Sequence, residues 1–560
     1  MTDQPLSIVA GPPLSEEQGL GALTLSGWLR EVMARSGPAE ALVMHEGDSI
    51  TRWTYDDLWA RANEVARALI ACGVGKGTRV GILMTNRPEF LAAVFGTALA
   101  GGVAATLSTF STPAELDHLL QSSACHVLLM ERTVLKKDFA AILTDLEPGI
   151  SMASPGALAS PHFPFLRHIA SLGGGEGMIE PWDAFLRRGD SVDQALVDAT
   201  AATVTPADPG VLFFSSGSTA KPKGILSMHR GVTLQLWRWK RFLAAKEDAR
   251  AWSANGFFWS GNFAMAIGGA LSSGGSLILQ ATFQPEEALT LMARERATMA
   301  FAWPHQWAQL EGAANWNDVD LSALHYVGQH TPLGRHPTVS TDWQEPMAAY
   351  GNTETFTIST IFDSGTPDEQ IAGTHGIPLP GNIFKILDPL TGTVVPLGER
   401  GEIAVKGPTL MLGYIDVPLD ESVDADGFFH TGDGGWFDAE GRLHWEGRLN
   451  DIIKTGGANV SPIEIDTVIK SCPGVKVTQT VGVPHETLGE LVVTCIVSHV
   501  GAPLDEDAIR AYAKAQLASY KVPRRVLFFS EDDLSLTGSA KIKTADLKAL
   551  VVKQLSTEPA

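Results

Sequence analysis

Leu58, Ala62, Val65 and Leu69 stand three or four residues apart, with Arg61, Asn63, Glu64 and Arg67 between them. That spacing gathers the apolar side chains on one face and predicts a helix. Thr54 with Asp57 three residues on supplies a capping box at its start. Gly73, Gly75 and Gly77 end it, and Arg79 to Met84 then reads as a buried strand. Pro88 opens a second helix, Val103 to Leu107 a second strand, and Leu128-Leu129-Met130 continues the series. Helices and strands alternating across short glycine turns predict a largely parallel α/β sheet. Residues 146–205 are richer in Pro, Gly and Ser, with weak periodicity, and are expected to form a surface excursion without chemistry.

No charged residue occurs between Glu89 and Glu115, but Gly101-Gly102 splits that stretch into pieces too short to span a bilayer. A second uncharged stretch lies between Arg250 and Glu286, with Trp252, Phe257, Phe258, Trp259 and Phe263 in its first half. It reads equally as the lining of an apolar pocket or as buried core. From Ile383 onward short strands at residues 383–387, 402–406 and 442–446 predict a β subdomain. After Lys454 the pattern becomes helix (462–471), strands (478–483 and 491–500) and helix (506–517), enough for a small separate domain. The expected architecture is therefore α/β. A large N-terminal domain (residues 1–449) carries mixed and parallel sheets and the β subdomain, and a small mobile α/β domain (450–560) follows.

Composition narrows the choice of partners. With 44% hydrophobic and 19% charged residues the 560-residue chain is globular, and its net charge of −21 opposes non-specific binding to nucleic acid or an anionic membrane. Cys72, Cys125, Cys472 and Cys495 are scattered, which suits a reducing compartment and no zinc site. Met1-Thr2-Asp3-Gln4-Pro5 lacks the features of a signal peptide, so a cytoplasmic location is expected, as a monomer or homodimer.

Any polyphosphate ligand must then be held by local groups, and one stretch offers them. The apolar run Gly210-Val211-Leu212-Phe213-Phe214 leads into Ser215-Ser216-Gly217-Ser218-Thr219-Ala220-Lys221-Pro222-Lys223-Gly224. Glycines let the backbone cradle an anion, hydroxyls donate to phosphate oxygens, and lysine adds a compact charge. The spacing is not that of the common P-loop, and taken alone a solvated Ser/Gly turn fits as well. Four further clusters follow in order. Tyr350-Gly351-Asn352-Thr353-Glu354 offers a ring, a tight turn, a hydroxyl and a carboxylate suited to Mg²⁺ beside phosphates. Thr431-Gly432-Asp433 places an acid on a turn, fit to accept from ribose hydroxyls. Gly447-Arg448-Leu449-Asn450-Asp451-Ile452-Ile453-Lys454 enters a Gly456-Gly457 turn, and Thr537-Gly538-Ser539-Ala540-Lys541 carries a lysine on a small-residue turn.

In this order the motifs resemble those of the adenylate-forming superfamily: acyl-CoA synthetases, luciferases and peptide-synthetase adenylation domains. The resemblance runs from about Leu25 to Leu547 and includes Val460-Ser461-Pro462-x-Glu464-Ile465. It implies an ATP site built from Ser215, Ser216, Gly217, Ser218, Thr219, Lys223, Thr331, Tyr350, Gly351, Asp433 and Arg448. Thr219 and Lys223 would contact the β- and γ-phosphates, Thr353 the α-phosphate and Glu354 the magnesium. Tyr350 would stack on adenine, and Asp433 and Arg448 would hold the ribose. Lys541 would bridge carboxylate and phosphate in the first transition state, and Asn450 would be the hinge. After domain rotation Lys454, Gly456 and Gly457 would face the site of thiol attack by CoA. Trp259, Gly328, Gln329, His330 and Asn352 would line the acyl and pantetheine pocket.

Departures from the family pattern are Ala220, Asn450 and Ala540. Gln329-His330 also stands where relatives carry small residues, and would shorten or polarise the acyl pocket. The lack of an aspartate between Arg250 and Glu286 favours an apolar acid over an amino acid. Together these imply an AMP-forming carboxylate–CoA ligase using ATP, Mg²⁺ and CoA. An adenylating enzyme that passes the acyl group to an amine or carrier protein stays open as the alternative.

Overall fold

The computed structural model describes residues 4–557 apart from 216–221, 347, 419–420, 452, 456–457, 486–487, 500, 502–503, 518–520, 531–532 and 534–543, and the side chains of 450, 458, 459 and 557. It divides into two compact units. One comprises Ala10–Ile383 with Lys406–Phe429, the other Met1–Val9, Phe384–Val405 and His430–Ala560.

In the larger unit an eight-stranded sheet runs in the order Ile179–Pro181, His168–Leu172, Val127–Glu131, Arg79–Leu83, Val103–Thr106, Pro209–Ser215, Lys223–Met228, Gly413–Tyr414. The first six strands are parallel, as the alternation predicts, and the last two join antiparallel. A five-stranded sheet, Met299–Phe301, Arg250–Ser253, Ser276–Leu279, Glu40–Glu46 and Ser49–Thr54, accompanies it. The expected helix forms over Tyr55–Ala71, with both halves of the Thr54–Asp57 capping box made. Leu58, Ala62, Val65 and Leu69 are all buried. The helix Pro88–Leu99 is buried at every position but Glu89 and needs Gly96, where a Cβ would meet Val65 and the Ala62 carbonyl. No helix among the described residues is long and apolar enough to cross a membrane.

Residues 146–205 are more ordered than their composition suggests. His168–Leu172 and Ile179–Pro181 extend the main sheet and bury Ile169, Ala170 and Ile179. Strands of three to five residues give too few positions for an alternation to register. The ion pair of Glu180 with Arg188 puts charge inside the segment and masks its apolar character.

The second unit has two sheets. One holds Ile8–Ala10, Ile383–Leu387, Gly401–Lys406, Phe429–Phe437 and Leu443–Arg448, the expected β subdomain. The other holds Ala458–Val460, Ile453–Thr455, Gly489–Ser498 and Val475–His485, with Arg525–Phe528 parallel to Gly489–Ser498. The helices Pro462–Lys470 and Glu506–Lys514 fall where periodicity places them.

A helix over His229–Phe242 runs through the core of the larger unit. His229 at its start is fully buried, and its Nδ1 accepts the Leu25 N–H at 3.2 Å. Burial pushes its pKa from 6.5 down to about 4, against the opposing attraction of Asp208. The folded state therefore keeps this ring neutral where the unfolded chain already binds a proton, so stability falls as pH drops from about 6.5 towards 4. We predict that acidifying from pH 8 to pH 5 costs the wild type about 2 kcal/mol more than His229→Gln. Denaturant unfolding of both proteins at the two pH values measures it, and equal losses would refute the assignment.

Candidate active site

The strand Pro209–Ser215 is buried at Val211, Leu212 and Phe213 and turns back as Lys223–Met228, with Ser215 opposite Lys223. The two strands that flank the phosphate-loop candidate thus pair antiparallel. Ser216, Gly217, Ser218, Thr219 and Ala220 lie outside the described residues. At the far end of the loop the His118 Nε2–H donates to the Pro222 carbonyl at 3.0 Å. A Cβ on Gly224 would run into the Ile415 side chain and force it to shift.

The Tyr350–Glu354 motif forms a second tight turn. Tyr350 is buried and exchanges backbone hydrogen bonds with Ser359 and Thr360. A Cβ on Gly351 would strike the Thr357 carbonyl, so the backbone closes on itself only with glycine. Asn352 caps the 3₁₀ turn Thr353–Thr355, its Oδ1 accepting the Thr355 N–H at 2.9 Å. Phe356 and Thr357 then take left-handed φ values of 46° and 81°, a strained arrangement for residues with side chains. What holds it is Gln235. Its fully buried amide donates to the carbonyls of Phe356 (3.0 Å) and Ile358 (2.6 Å). Phe356 also packs edge-on against Phe213 of the hairpin, with centroids 5.8 Å apart.

A short segment that periodicity does not reveal joins the two turns. The Met411 N–H donates to the Glu354 carbonyl at 2.7 Å, Leu412 to Leu226 at 2.7 Å, and Ile415 to Gly224 at 3.0 Å. Within it Tyr414 donates its hydroxyl to Glu354 Oε1 at 2.7 Å, and Lys223 Nζ lies over its ring at 5.0 Å from the centroid. Two strand residues are below what any periodicity signal resolves. The cue in the sequence is a glycine, Gly413, after the apolar pair Met411-Leu412.

The uncharged aromatic stretch resolves residue by residue. Trp252, Phe257, Phe258 and Phe263 are buried core, whereas Trp259 is half-exposed and packs at 5.3 Å on Phe258. Asn86 fixes the stretch, accepting from the Phe257 N–H at 2.8 Å and donating to the Asn255 carbonyl at 2.7 Å. A π-helical turn over Phe263–Ile267 follows, a feature that often marks functional sites. At the Gly328 turn, Thr331 is buried and donates to the Gly328 carbonyl at 2.8 Å. Gln329 and His330 are exposed. The first donates to the Thr341 carbonyl at 2.6 Å, and the second lies 3.3 Å from Glu345.

In the other unit Asp433 and Arg448 face each other across adjacent strands, 3.1 Å apart, with Asp433 buried and Arg448 exposed. Arg448 Nη1 also donates to the Thr431 carbonyl at 2.7 Å. Glu402 steadies this turn by accepting the Gly432 N–H at 3.1 Å, a role the sequence reading missed. Lys454 is exposed on Ile453–Thr455, and its N–H donates to Glu490 at 2.7 Å. Glu464 of the Ser461-Pro462 continuation receives Lys521 Nζ at 2.6 and 2.7 Å. Gly456, Gly457, Ala540 and Lys541 lie outside the described residues, as does the Asn450 side chain.

Residues 29–415 match the AMP-binding enzyme family, and residues 464–541 match the AMP-binding enzyme C-terminal domain. The chain belongs to the AMP-binding enzyme family. A feruloyl-CoA synthase of an Amycolatopsis species is 30% identical over 539 residues, spanning 95% of this chain and 99% of that protein. A Mycobacterium tuberculosis CoA ligase for a propanoyl group bearing a methyl-dioxo-octahydroindenyl ring is also 30% identical, over 89% of this chain and 94% of its own. The crystal structure of ATP-bound MatB from Rhodopseudomonas palustris superposes with a TM-score of 0.72 at 26% identity, covering 94% of this chain and 98% of that one. The chain is thus an adenylate-forming ligase of the acyl-CoA synthetase kind.

In this AMP-binding enzyme the Phe356–Thr357 strain places Thr353 and Glu354, and Gln235 sustains it. We predict that Gln235→Leu, which strands two buried carbonyls, costs about 2–4 kcal/mol of unfolding free energy. On the roles proposed below for Thr353 and Glu354, acyl-adenylate formation should fall at least about tenfold, because misplaced groups lose rate steeply. Denaturant unfolding and pyrophosphate release measure the two effects. Wild-type values for both would show that Gln235 is incidental.

Proposed function

We propose that the substrate is a compact apolar carboxylic acid, aryl or alicyclic, converted to its CoA thioester through an acyl adenylate. The observation that carries this reading is the common frame holding Lys223 and Glu354 in the unit that also presents half-exposed Trp259 on an uncharged aromatic segment. The aryl and fused-ring acids named for the two similar ligases support that class.

The chemistry demands what these residues offer. A carboxylate oxygen must attack the α-phosphorus of a still more negative triphosphate, so positive charge and a fixed line of approach are needed. Thr219 and Lys223 would draw negative charge towards the β- and γ-phosphates, which leave together as pyrophosphate. Thr353 would donate to the α-phosphate, Tyr350 would stack on adenine, and Asp433 with Arg448 would hold the ribose hydroxyls. Lys541 would join the attacking carboxylate to the α-phosphate as the new bond forms. One carboxylate beside substrate phosphates suffices for Mg²⁺, and Glu354, half-buried with one oxygen held by Tyr414, fits that need. The ion would offset triphosphate charge. In the second step, a turn about Asn450 would bring Lys454, Gly456 and Gly457 to the adenylate, and the CoA sulfur would displace AMP at the acyl carbon.

Pyrophosphate release across a panel of acids, with and without CoA, tests the reading. We expect multiple turnovers that require CoA and favour a cyclic apolar acid, and Lys541→Ala should lose about 10²–10³-fold in adenylation while still binding ATP. Adenylation indifferent to CoA would transfer the assignment to an amine or carrier-protein acceptor.

A further inference from the structure

Lys223 and Glu354 carry opposite charges and, on the reading above, must both turn towards one triphosphate. Paired directly, each would satisfy the other, and ATP would have to part them before binding. Tyr414 offers a different arrangement. Its ring carries the Lys223 ammonium at 5.0 Å, a cation–π contact, while its hydroxyl donates to Glu354 at 2.7 Å. The strand pairing makes this geometry obligatory. Tyr414 lies opposite Ile225 in antiparallel register, and Lys223, two residues from Ile225, is its diagonal neighbour on the same face. The Met411 N–H fixes Glu354 from the same segment, so ring and hydroxyl cannot shift independently of the two groups they serve.

We propose that Tyr414 is a positioning residue that keeps Lys223 and Glu354 apart and aimed, ready for the β- and γ-phosphates and the metal-binding edge of ATP. The ring and the hydroxyl have separable tasks. The ring holds an ammonium without neutralising it, leaving its charge for phosphate. The hydroxyl occupies one carboxylate oxygen and orients the other. This inference rests on the function proposed above.

The test is equilibrium binding of ATP and of AMP to the full-length protein, with acid-dependent ATP–pyrophosphate exchange as a second readout, for wild type, Tyr414→Phe and Tyr414→Leu. AMP lacks the phosphates that Lys223 serves, so Tyr414→Leu should weaken ATP roughly three- to thirtyfold while AMP binding stays within about twofold. Tyr414→Phe keeps the ring and should hold ATP affinity, yet lower the exchange kcat roughly tenfold with little change in KM for ATP. Equal loss of ATP and AMP binding in both variants would overturn the proposal and make Tyr414 merely structural. So would wild-type behaviour in both. A wild type that binds neither nucleotide would bring down the functional reading itself, and this inference with it.

Discussion

Three backbone hydrogen bonds from one short edge strand govern the site. Through Met411, Leu412 and Ile415 that strand grips Glu354 on one side and the Lys223–Met228 strand on the other. The strand Lys223–Met228 and the acidic turn lie far apart in sequence. Tied to the same strand, they become one frame, and electrostatic catalysis depends on frames that do not have to reorganise. This constraint also accounts for the path of the chain. After Ile383 it leaves the larger unit, and it returns over Lys406–Phe429 to deliver the strand. Gly224 leaves the room in which the Ile415 side chain lies, and a Cβ there would force that side chain to shift.

Around that frame the structure stores strain where it needs precision. Phe356 and Thr357 adopt left-handed backbone beside Glu354, and a wholly buried glutamine compensates. Gln235 belongs to the same core helix as Arg238, whose buried guanidinium forks onto Glu17. The helix is thus fixed by polar contacts as well as by packing, and it passes that rigidity to the turn. In a chain with a net charge of −21, the Lys223 ammonium over the Tyr414 ring is the local positive group that the proposed triphosphate site would use.

Much of this was legible beforehand, for identifiable reasons. Helical periodicity at Leu58 to Leu69 and the Thr54 cap reported a long amphipathic helix faithfully. The buried strand before Ser215 was also readable, and Tyr350, Glu354, Asp433 and Arg448 could be singled out by side-chain type and close spacing. What stayed hidden was whatever depends on contacts distant in sequence. Tyr414, Gln235, Glu402 and Asn86 act through partners that no local pattern links to them. The aromatic stretch could not be divided into core and surface because Trp252 and Trp259 look alike in sequence, and only the fold buries one and half-exposes the other. Residues 168–181 escaped notice because their strands are short and carry a paired charge.

The account stands most directly on the claim that the edge strand makes one body of two turns. Peptide-resolved amide hydrogen exchange of the full-length enzyme, wild type against Leu412→Pro, measures it. The proline removes the N–H that bonds to Leu226 and replaces none of Lys223, Glu354 and Tyr414. Exchange should accelerate together in the peptides covering residues 223–228 and 350–355, with distant core strands such as Val127–Glu131 unchanged. Acceleration confined to residues 411–415 would contradict the account, for the two turns would then hold their shape without the strand between them.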